Sequence, residues 1–192
     1  MQVIGLTGSI ASGKSTVLAI CKELGAAVVD VDALVHQLLA EDQVAINSVA
    51  EQFPEALEDG AINRKILGEI VFADDDKLEK IEAILHPLAK NAMQTWIEQQ
   101  QHAGYKYAVI EVPLLFETGW QNAFSAVMVA VANADTITIR AMARPGMTKE
   151  KLKSILACQW PQGKKRELAD FVIDTKMSKA EIKQQLENYF AA

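Results

Sequence analysis

Residues 5–16 read GLTGSIASGKST, and this stretch decides the fold of the 192-residue chain. Gly8, Gly13, Lys14 and Ser15 match the pattern G-x-x-x-x-G-K-[ST], in which a glycine-rich turn surrounds phosphate groups. The pattern has structural meaning only where a strand precedes the turn and a helix follows it. The sequence around it fits that requirement, so we predict a phosphate-binding loop near the start of the chain.

The segments around this loop predict an open parallel sheet. The apolar run MQVIGL precedes the loop, and a helical pattern follows from Thr16 to Leu24, where Gly25 suits a helix end. Further strand-like runs occupy residues 26–32, 105–116, 123–131 and 170–174. Because these runs are almost continuously apolar and helical patterns separate them, we expect an α/β fold with five parallel strands covered on both faces.

Residues 33–104 contain helical patterns and no convincing strand, which predicts a helical insertion between the second and third strands. Within it, Pro87 is expected to stop and restart a helix. A lid of helices is predicted over about 138–154. The core then comprises about 1–32, 105–137 and 155–192, all within a single domain.

Composition restricts the class of partner. A net charge of -6 and a sequence pI near 5.1 argue against a surface that holds a nucleic-acid backbone. No apolar run approaches the roughly 20 residues that span a bilayer, and the N-terminus lacks a signal-like pattern. Cys21 and Cys158 belong to no C-x-x-C pair, so they are expected to be reduced, largely packed thiols. We therefore expect a soluble cytoplasmic protein.

The chemistry of phosphate binding explains the spacing in the loop. Glycines let backbone N–H groups turn towards an anion, and the following helix adds its positive N-terminal end. Lys14 would reach the β- and γ-phosphates, and the Ser15 hydroxyl would ligate Mg²⁺. Thr16 either touches the α-phosphate or only occupies the first helical turn.

A phosphate loop leaves open how the nucleotide is used. A GTPase would need the guanine-reading motif N-K-x-D and the switch motif D-x-x-G. The segment TKMS at 175–178 matches the first motif only poorly, and the chain contains no example of the second. A kinase instead needs a base for the acceptor hydroxyl, an acceptor pocket and cations for the transferred phosphoryl group.

Three acidic residues are candidates for this chemistry. Asp30 and Asp32 are predicted at the carboxyl end of the second strand, where open α/β sheets bind ligands, and period-two spacing would turn them the same way. Asp32 is the predicted general base, whereas Asp30 fits a helix cap equally well. Glu111 lies in an apolar strand run, where it would organise magnesium-bound water, hold a loop or form a buried ion pair.

Arginine is scarce in this chain, with four arginines against fifteen lysines, yet Arg140 and Arg144 lie four residues apart. We predict that both lie on one helical face of the lid and close over the triphosphate. Arg64 opens a helix of the insertion and suits either an acceptor phosphate or the surface. The run GKKRE at 163–167 is predicted mainly as a solvated helix face, with nucleotide contact by Lys165 or Arg166 as the alternative.

Seven segments occur in an order and spacing that resemble one enzyme family: IGLTGSIASGKST, VVDVD, INRKILGEIVF, ILHPL, VIEVPLLFETG, IRAMARPGMTKEKLKSILACQ and ADFVIDT. Over essentially the full chain, the sequence is similar to the dephospho-coenzyme A kinases, which complete coenzyme A synthesis. The resemblance implies a P-loop kinase core with a helical substrate-binding insertion and a lid. It further implies that magnesium ATP gives its γ-phosphoryl group to the ribose 3′-hydroxyl of dephospho-CoA.

The resemblance also assigns residues by position. It makes Asp32 the base, Lys14 and Arg140 the groups that stabilise the transferred phosphoryl, and Ser15 the Mg²⁺ ligand. The expected ATP-binding residues are Gly8, Ala11, Ser12, Gly13, Lys14, Ser15, Thr16, Arg144 and Thr175. The expected substrate-binding residues are Asp32, Arg64, His86, Pro113, Leu114, Leu115 and Glu117. No nucleic acid, membrane or obligatory protein partner is expected.

Some positions depart from the family pattern. Ser9 and Ala11 replace glycines that the loop generally has, outside the signature positions. Glu111 stands where aspartate is commoner, and Pro145 replaces a frequent acidic residue. Thr175 occupies a place near the adenine that asparagine often holds, which leaves base selectivity open.

Two alternatives remain open from the residues themselves. One is a P-loop protein that binds ATP as a switch or sensor, and the other is the same machinery acting on a different hydroxyl acceptor, such as a nucleoside or sugar. Asp32 and the paired arginines favour a kinase over a sensor, because a sensor needs no base beside a second pocket. The long insertion favours a bulky acceptor.

Overall fold

The structure is a computed structural model that describes residues 1–191. Its strands are β1 Gln2–Thr7, β2 Ala27–Asp30, β3 Leu57–Glu58, β4 Ala61–Ile62, β5 Tyr107–Glu111, β6 Ala126–Val131 and β7 Phe171–Asp174. Its α-helices are α1 Lys14–Glu23, α2 Val31–Glu41, α3 Gln43–Gln52, α4 Arg64–Val71, α5 Asp75–His102, α6 Ala134–Met142, α7 Lys149–Ala157, α8 Gln162–Glu167 and α9 Lys179–Ala191. Two compact units divide the chain: residues 30–99 form one, and residues 1–29 together with the chain from Gln100 onward form the other.

The main sheet has five parallel strands in the order β2-β5-β1-β6-β7. In the centre, Gly5 of β1 is opposite Ile110 of β5 and Val127 of β6. This arrangement confirms the predicted α/β fold. It also brings the carboxyl ends of β1, β5, β6 and β7 to one edge, where the phosphate loop begins.

The strands of the main sheet are apolar in sequence because most of their residues are buried. Every residue of β6 is buried, and β1 is buried from Ile4 onward. Helices α1 and α9 pack together and supply apolar side chains to the same core. The buried members of this core are Ile4, Leu6, Val17, Ile20, Cys21, Ala26, Val109, Met128, Ala130, Ile173, Ile182 and Leu186.

The unit of residues 30–99 has its own apolar core and a short hairpin. Strands β3 and β4 pair antiparallel through Asp59 and Gly60, both with positive φ (48° and 82°). Two positive φ values are the mark of the tight hairpin turn that Asp-Gly favours. The prediction that residues 33–104 hold no strand was therefore wrong, because two-residue strands are too short to show an alternating pattern and only the Asp-Gly turn signals them.

Helix α5 runs without a break through Pro87, so the predicted stop at His86 was also wrong. Proline removes one N–H donor from the helix, which costs the bond to the carbonyl four residues earlier. Buried side chains on both sides of Pro87, such as Ile81 and Met93, hold the two halves in one helix.

Polar side chains cap the starts of α6, α7 and α9. Asn133 Oδ1 accepts a hydrogen bond from the third N–H of its helix start at 2.9 Å, and Thr148 Oγ1 does the same at 3.2 Å. Ser178 and Glu181 form a reciprocal capping box at α9. Among residues 1–191, no helix has both the length and the apolar character needed to cross a membrane.

Candidate active site

The loop of residues 8–13 joins β1 to α1 and folds back on itself. Gly8, Ala11 and Gly13 have φ values of 152°, 57° and 93°, and the N–H of Ser12 donates to the Ser9 carbonyl at 3.1 Å. Positive φ values turn successive peptide groups so that their N–H bonds converge on a concave surface. This is the backbone geometry that the glycine spacing predicts.

Two of the glycines are required by close contacts as well as by φ. A Cβ atom at Gly8 would lie 2.4 Å from the Ala130 carbonyl oxygen of β6. At Gly13 it would lie 2.8 Å from the Thr175 side chain. The loop therefore presses directly against the ends of neighbouring strands, and larger residues would displace it.

Helix α1 begins at the loop with an N-terminus that suits an anion. Its N-cap, Gly13, provides no side-chain hydrogen bond to the first turn. Backbone N–H groups at such an end, together with the helix dipole, attract phosphate. Ser15 is exposed in this first turn and Thr16 is half-buried. The Ser12 hydroxyl is buried and has no hydrogen-bond partner among residues 1–191.

Lys14 folds over the loop. Its Nζ donates to the carbonyl oxygens of Gly8 and Ser9, each at 3.3 Å, and lies 3.8 Å from Glu111 Oε1. Glu111 ends β5, and both side chains are about nine-tenths buried. The structure thus shows the ion pair expected as one role of Glu111, and its role towards magnesium-bound water stays a prediction.

Arg140 of α6 is tied to the loop through Thr175. Its Nη1 donates to Thr175 Oγ1 at 2.8 Å, and its Nη2 donates to the Thr175 carbonyl oxygen at 2.9 Å. The Thr175 hydroxyl in turn donates to the Ser12 carbonyl at 2.6 Å. Three residues that the sequence analysis assigned separately are therefore neighbours, although they are far apart along the chain.

Arg144 lies beyond the end of its helix. Helix α6 ends at Met142 with Ala143 as its cap, and Arg144 is exposed in the turn that follows. The prediction that Arg140 and Arg144 share one helical face was wrong, because Pro145 disfavours helical geometry at the residue before it.

The segment after β5 carries the predicted residues Pro113, Leu114, Leu115 and Glu117. Thr7 Oγ1 of β1 donates to the Pro113 carbonyl at 3.2 Å. Leu115 is fully buried against Gly5 of β1, and Pro113 and Leu114 are half-buried. Residues of this segment therefore pack on the central strand that leads into the loop.

Glu117 forms a buried ion pair with Lys165 of α8. Lys165 Nζ lies 2.8 Å from Glu117 Oε1, and the lysine side chain is fully buried. The same carboxylate oxygen accepts the Trp160 N–H at 2.6 Å, and Lys164 lies over the Trp160 ring. The prediction of a solvated face for residues 163–167 was wrong for Lys165, because a carboxylate 48 positions away in sequence is its partner.

Two glutamines that sequence reasoning missed hold this side of the core. Gln159 Oε1 accepts the N–H of Ile10 in the phosphate loop at 2.9 Å. Gln162 accepts from the Ala132 N–H at 3.2 Å and donates to its carbonyl at 2.9 Å. The Gln159 bond holds the phosphate loop at Ile10. Neither glutamine nor its neighbours in sequence give a signal of such long-range bonds.

In the unit of residues 30–99, Asp30 ends β2 and caps α2. Its Oδ1 accepts the Asp32 N–H at 3.0 Å, and Asp32 is exposed in the first turn of that helix. The prediction of two strand residues turned the same way was wrong, because the strand ends at Asp30 and the chain becomes helical at Val31. The cap assigned to Asp30 as an alternative is confirmed.

The other predicted residues of this unit are on separate helices. Arg64 is exposed at the first residue of α4, and His86 is half-buried on α5. A groove of about 580 Å³ runs between α2 and α5, and its lining includes none of Asp32, Arg64 and His86.

Comparisons with known proteins agree on one family. A sequence model described as "Dephospho-CoA kinase" matches residues 2–181. The chain is 45% identical over 175 residues to a dephospho-CoA kinase of Mesorhizobium japonicum, covering 91% of this chain and 88% of that protein. It is 39% identical over 186 residues to a dephospho-CoA kinase of Rhodopseudomonas palustris, covering 97% and 92%.

Solved structures give the same result. A crystal structure from Thermus thermophilus superposes with a TM-score of 0.83 at 30% identity, covering 99% of this chain and 96% of that one. A dephospho-CoA kinase from Campylobacter jejuni gives a TM-score of 0.66 at 26% identity, with the same coverage. A shikimate kinase from Bacteroides thetaiotaomicron, at 15% identity and a TM-score of 0.54, shares the fold alone. With its phosphate loop, its five-stranded sheet and these matches, the chain belongs to the dephospho-CoA kinase family.

Proposed function

We propose that this protein transfers the γ-phosphoryl group of ATP to the ribose 3′-hydroxyl of dephospho-CoA, giving coenzyme A and ADP. The observation that carries the proposal is family membership over residues 2–181; it is supported by a loop with positive φ at Gly8 and Gly13 and by a lysine that folds over that loop. In the reaction, the acceptor oxygen forms a bond to the γ-phosphorus. The bond from that phosphorus to the β,γ-bridging oxygen breaks, and its electron pair leaves with ADP.

Lys14 and Arg140 suit the charge that develops during transfer. Both are cationic, and both are attached to the loop, Lys14 directly and Arg140 through Thr175. Fixed cations are worth most where charge appears in the transition state, because they need no reorganisation at that moment. Arg144, exposed beyond α6, is proposed to join them on the triphosphate as part of a lid of residues 138–154.

Asp32 is proposed to take the proton of the 3′-hydroxyl. Its carboxylate is at an exposed helix start, and its backbone N–H is held by the Asp30 cap. A cap of this kind fixes the first turn of the helix, so the side chain beside it starts from a defined backbone position. A general base of this sort typically contributes 10²- to 10⁴-fold to the rate.

Magnesium fits the residues at the start of α1. Ser15 offers an exposed hydroxyl oxygen, which is the hard type of ligand that Mg²⁺ prefers beside phosphates and water. Mg²⁺ usually keeps several waters and binds through substrate phosphates and few protein oxygens, so this single hydroxyl suits a cation that arrives with its nucleotide. When bound, Mg²⁺ neutralises charge on the β- and γ-phosphate oxygens.

The remaining assignments follow the same proposal. Residues 33–104 are proposed to bind the acceptor, with Arg64 and His86 among its contacts. Pro113, Leu114, Leu115 and Glu117 are proposed to contribute to acceptor binding. Gly8, Ala11, Ser12, Gly13, Thr16 and Thr175 are proposed to contact ATP. A cytoplasmic location is proposed from membership of the dephospho-CoA kinase family.

The test is acceptor-dependent ADP release by the purified protein with ATP and Mg²⁺. We expect turnover with dephospho-CoA, no turnover with coenzyme A, whose 3′-position already carries phosphate, and none with shikimate. Mass spectrometry should detect coenzyme A in step with ADP. Equal ADP release with and without dephospho-CoA would contradict the proposal, and turnover with another hydroxyl compound alone would redirect it to that acceptor.

A further inference from the structure

Thr175 follows β7 directly and is almost fully buried, with 5% of its surface exposed. Its backbone N–H donates to the Val131 carbonyl of β6 at 2.9 Å, which fixes the residue at the edge of the sheet. Its side chain touches Gly13 closely enough that a methyl group there would lie 2.8 Å from it. Thr175 is therefore a rigid neighbour of the phosphate loop.

The direction of each hydrogen bond is determined by the donors present. A threonine hydroxyl has one hydrogen to donate, and a guanidinium can only donate. Since Arg140 Nη1 must donate to Thr175 Oγ1 at 2.8 Å, the hydroxyl hydrogen is available for a carbonyl oxygen: that of Ser12 lies at 2.6 Å and that of Val131 farther away, at 3.2 Å. These two hydrogen bonds form a relay from Arg140 on α6, through the Thr175 hydroxyl, to the Ser12 carbonyl of the loop.

A second bond fixes the orientation of the guanidinium. Arg140 Nη2 donates to the Thr175 carbonyl oxygen at 2.9 Å, so both ends of the planar fork are held by one residue. A neutral residue holds the cation without cancelling its charge. Among residues 1–191, no carboxylate forms an ion pair with Arg140, and three of its five N–H groups are not used by these bonds.

We propose that Thr175 is a positioning residue that holds Arg140 beside the phosphate loop in advance of phosphoryl transfer. The inference rests on the proposed function, because it assigns Arg140 to the transferred group. A cation that is already oriented contributes more to the transition state than one that must be ordered during the reaction. In this role the Thr175 hydroxyl acts on the reaction through Arg140, and any contact of Thr175 with ATP is separate from it.

The kinetic test combines Thr175→Val with Arg140→Ala in a double-mutant cycle. Valine keeps the shape and the backbone carbonyl but removes the relay. We expect Thr175→Val to lower kcat by roughly 10- to 100-fold, a part of the effect of losing a whole transition-state donor. The dissociation constant for ATP, measured by titration, should change little. In the Arg140→Ala background, Thr175→Val should add almost nothing, because it acts through the arginine.

Two further variants separate positioning from folding. Thr175→Ser keeps the hydroxyl and should recover most of the lost kcat. Thr136→Val is the matched control, because Thr136 is on the same α6 but precedes the proposed lid of residues 138–154, and it takes no part in the bonds that join Arg140, Thr175 and Ser12. It should retain wild-type kcat. Loss of kcat in Thr175→Ser as deep as in Thr175→Val would contradict the hydroxyl relay.

Other results would also overturn the inference. An equal loss from Thr175→Val with and without Arg140 would show that the two residues act independently. A loss confined to ATP affinity would make Thr175 a nucleotide contact.

A readout that needs no turnover separates this proposal from the proposed function. ¹⁵N relaxation of the Arg140 Nε–H should show an ordered side chain in the wild type and a mobile one in Thr175→Val. If the wild-type protein showed no turnover with dephospho-CoA, the proposed function would be refuted. An equally mobile Arg140 in both proteins would refute the positioning role.

Discussion

The buried ion pair of Glu117 and Lys165 gives a prediction whose size follows from the structure. Lys165 is fully buried, and the Glu117 side chain is 11% exposed. Within residues 1–191, Glu117 Oε2 has no hydrogen-bond partner, and the ammonium of Lys165 has no other acceptor. Glu117→Gln therefore leaves a buried charge without a counter-charge, which typically costs about 3–5 kcal/mol of unfolding free energy.

This loss of unfolding free energy corresponds to a lower melting temperature. An unfolding entropy of roughly 2.1 cal/mol/K per residue gives about 0.4 kcal/mol/K for a chain of this length, so Tm should fall by roughly 7–12 °C. Lys165→Met leaves the carboxylate behind and should also destabilise. The double variant should recover most of the loss, because a neutral pair of similar volume often replaces a buried ion pair at little cost.

Calorimetry and urea unfolding of the four proteins measure this cycle. The control is Glu23→Gln, which breaks an exposed pair with Lys183 at 3.8 Å and should cost less than about 1 kcal/mol. A Glu117→Gln protein no less stable than Glu23→Gln would refute the reasoning. The same variants test the acceptor role of Glu117: a direct contact raises KM for dephospho-CoA in Glu117→Gln but not in Lys165→Met.

Three further predictions concern the loop, the base and the thiols. Asp32→Asn should keep ATP binding but lower kcat by on the order of 10²- to 10⁴-fold, measured by coupled ADP release; near-normal turnover would remove Asp32 from the role. Gly13→Ala should lose ATP binding in a titration, because φ is 93° and its Cβ would meet a side chain at 2.8 Å, whereas Gly25→Ala, with φ 86° in open space, should retain it. Burial raises the pKa of the Cys21 thiol to about 12, so a thiol reagent at pH 8 should label only the exposed Cys158 in the native protein and both cysteines after unfolding. Because that thiol stays protonated when folded, its contribution to stability should be complete below the unfolded pKa and decline as pH rises from about 8.5 towards 12, which pH-dependent urea unfolding would detect.

Local chemistry could be predicted from the sequence, because its causes lie within a few residues. Gly8 and Gly13 were placed correctly, since spacing and φ requirements are encoded in the loop itself. The caps at Asn133, Thr148 and Ser178 are likewise local, because each side chain bonds a backbone N–H three residues further along the chain. The parallel sheet followed from apolar runs separated by helices.

Long-range partners could not be predicted. The bond from Thr175 to Ser12 joins residues 163 positions apart, and the Gln159 bond to Ile10 spans 149. A pattern of residue types does not reveal which distant side chain will satisfy a buried lysine such as Lys165. For the same reason, the resemblance placed Thr175 near the adenine, while its contacts to Arg140 were found only in the structure.

The end of β2 and the expected break in α5 were predicted wrongly, because two local effects compete at each position. At Asp32 the apolar strand signal extended past a cap, and the cap determined where the strand ended. At Pro87 the breaker signal was real, but packing on both sides kept helix α5 continuous.

The most direct test of the central claim is the fate of the γ-phosphoryl group. The protein is incubated with γ-labelled ATP, Mg²⁺ and dephospho-CoA, and the label is divided between coenzyme A and inorganic phosphate. The account predicts one labelled coenzyme A for each ADP, with fragmentation placing the phosphate on the ribose 3′-oxygen, and almost no product from Lys14→Ala. Label found only in inorganic phosphate, or full activity in Lys14→Ala, would contradict it.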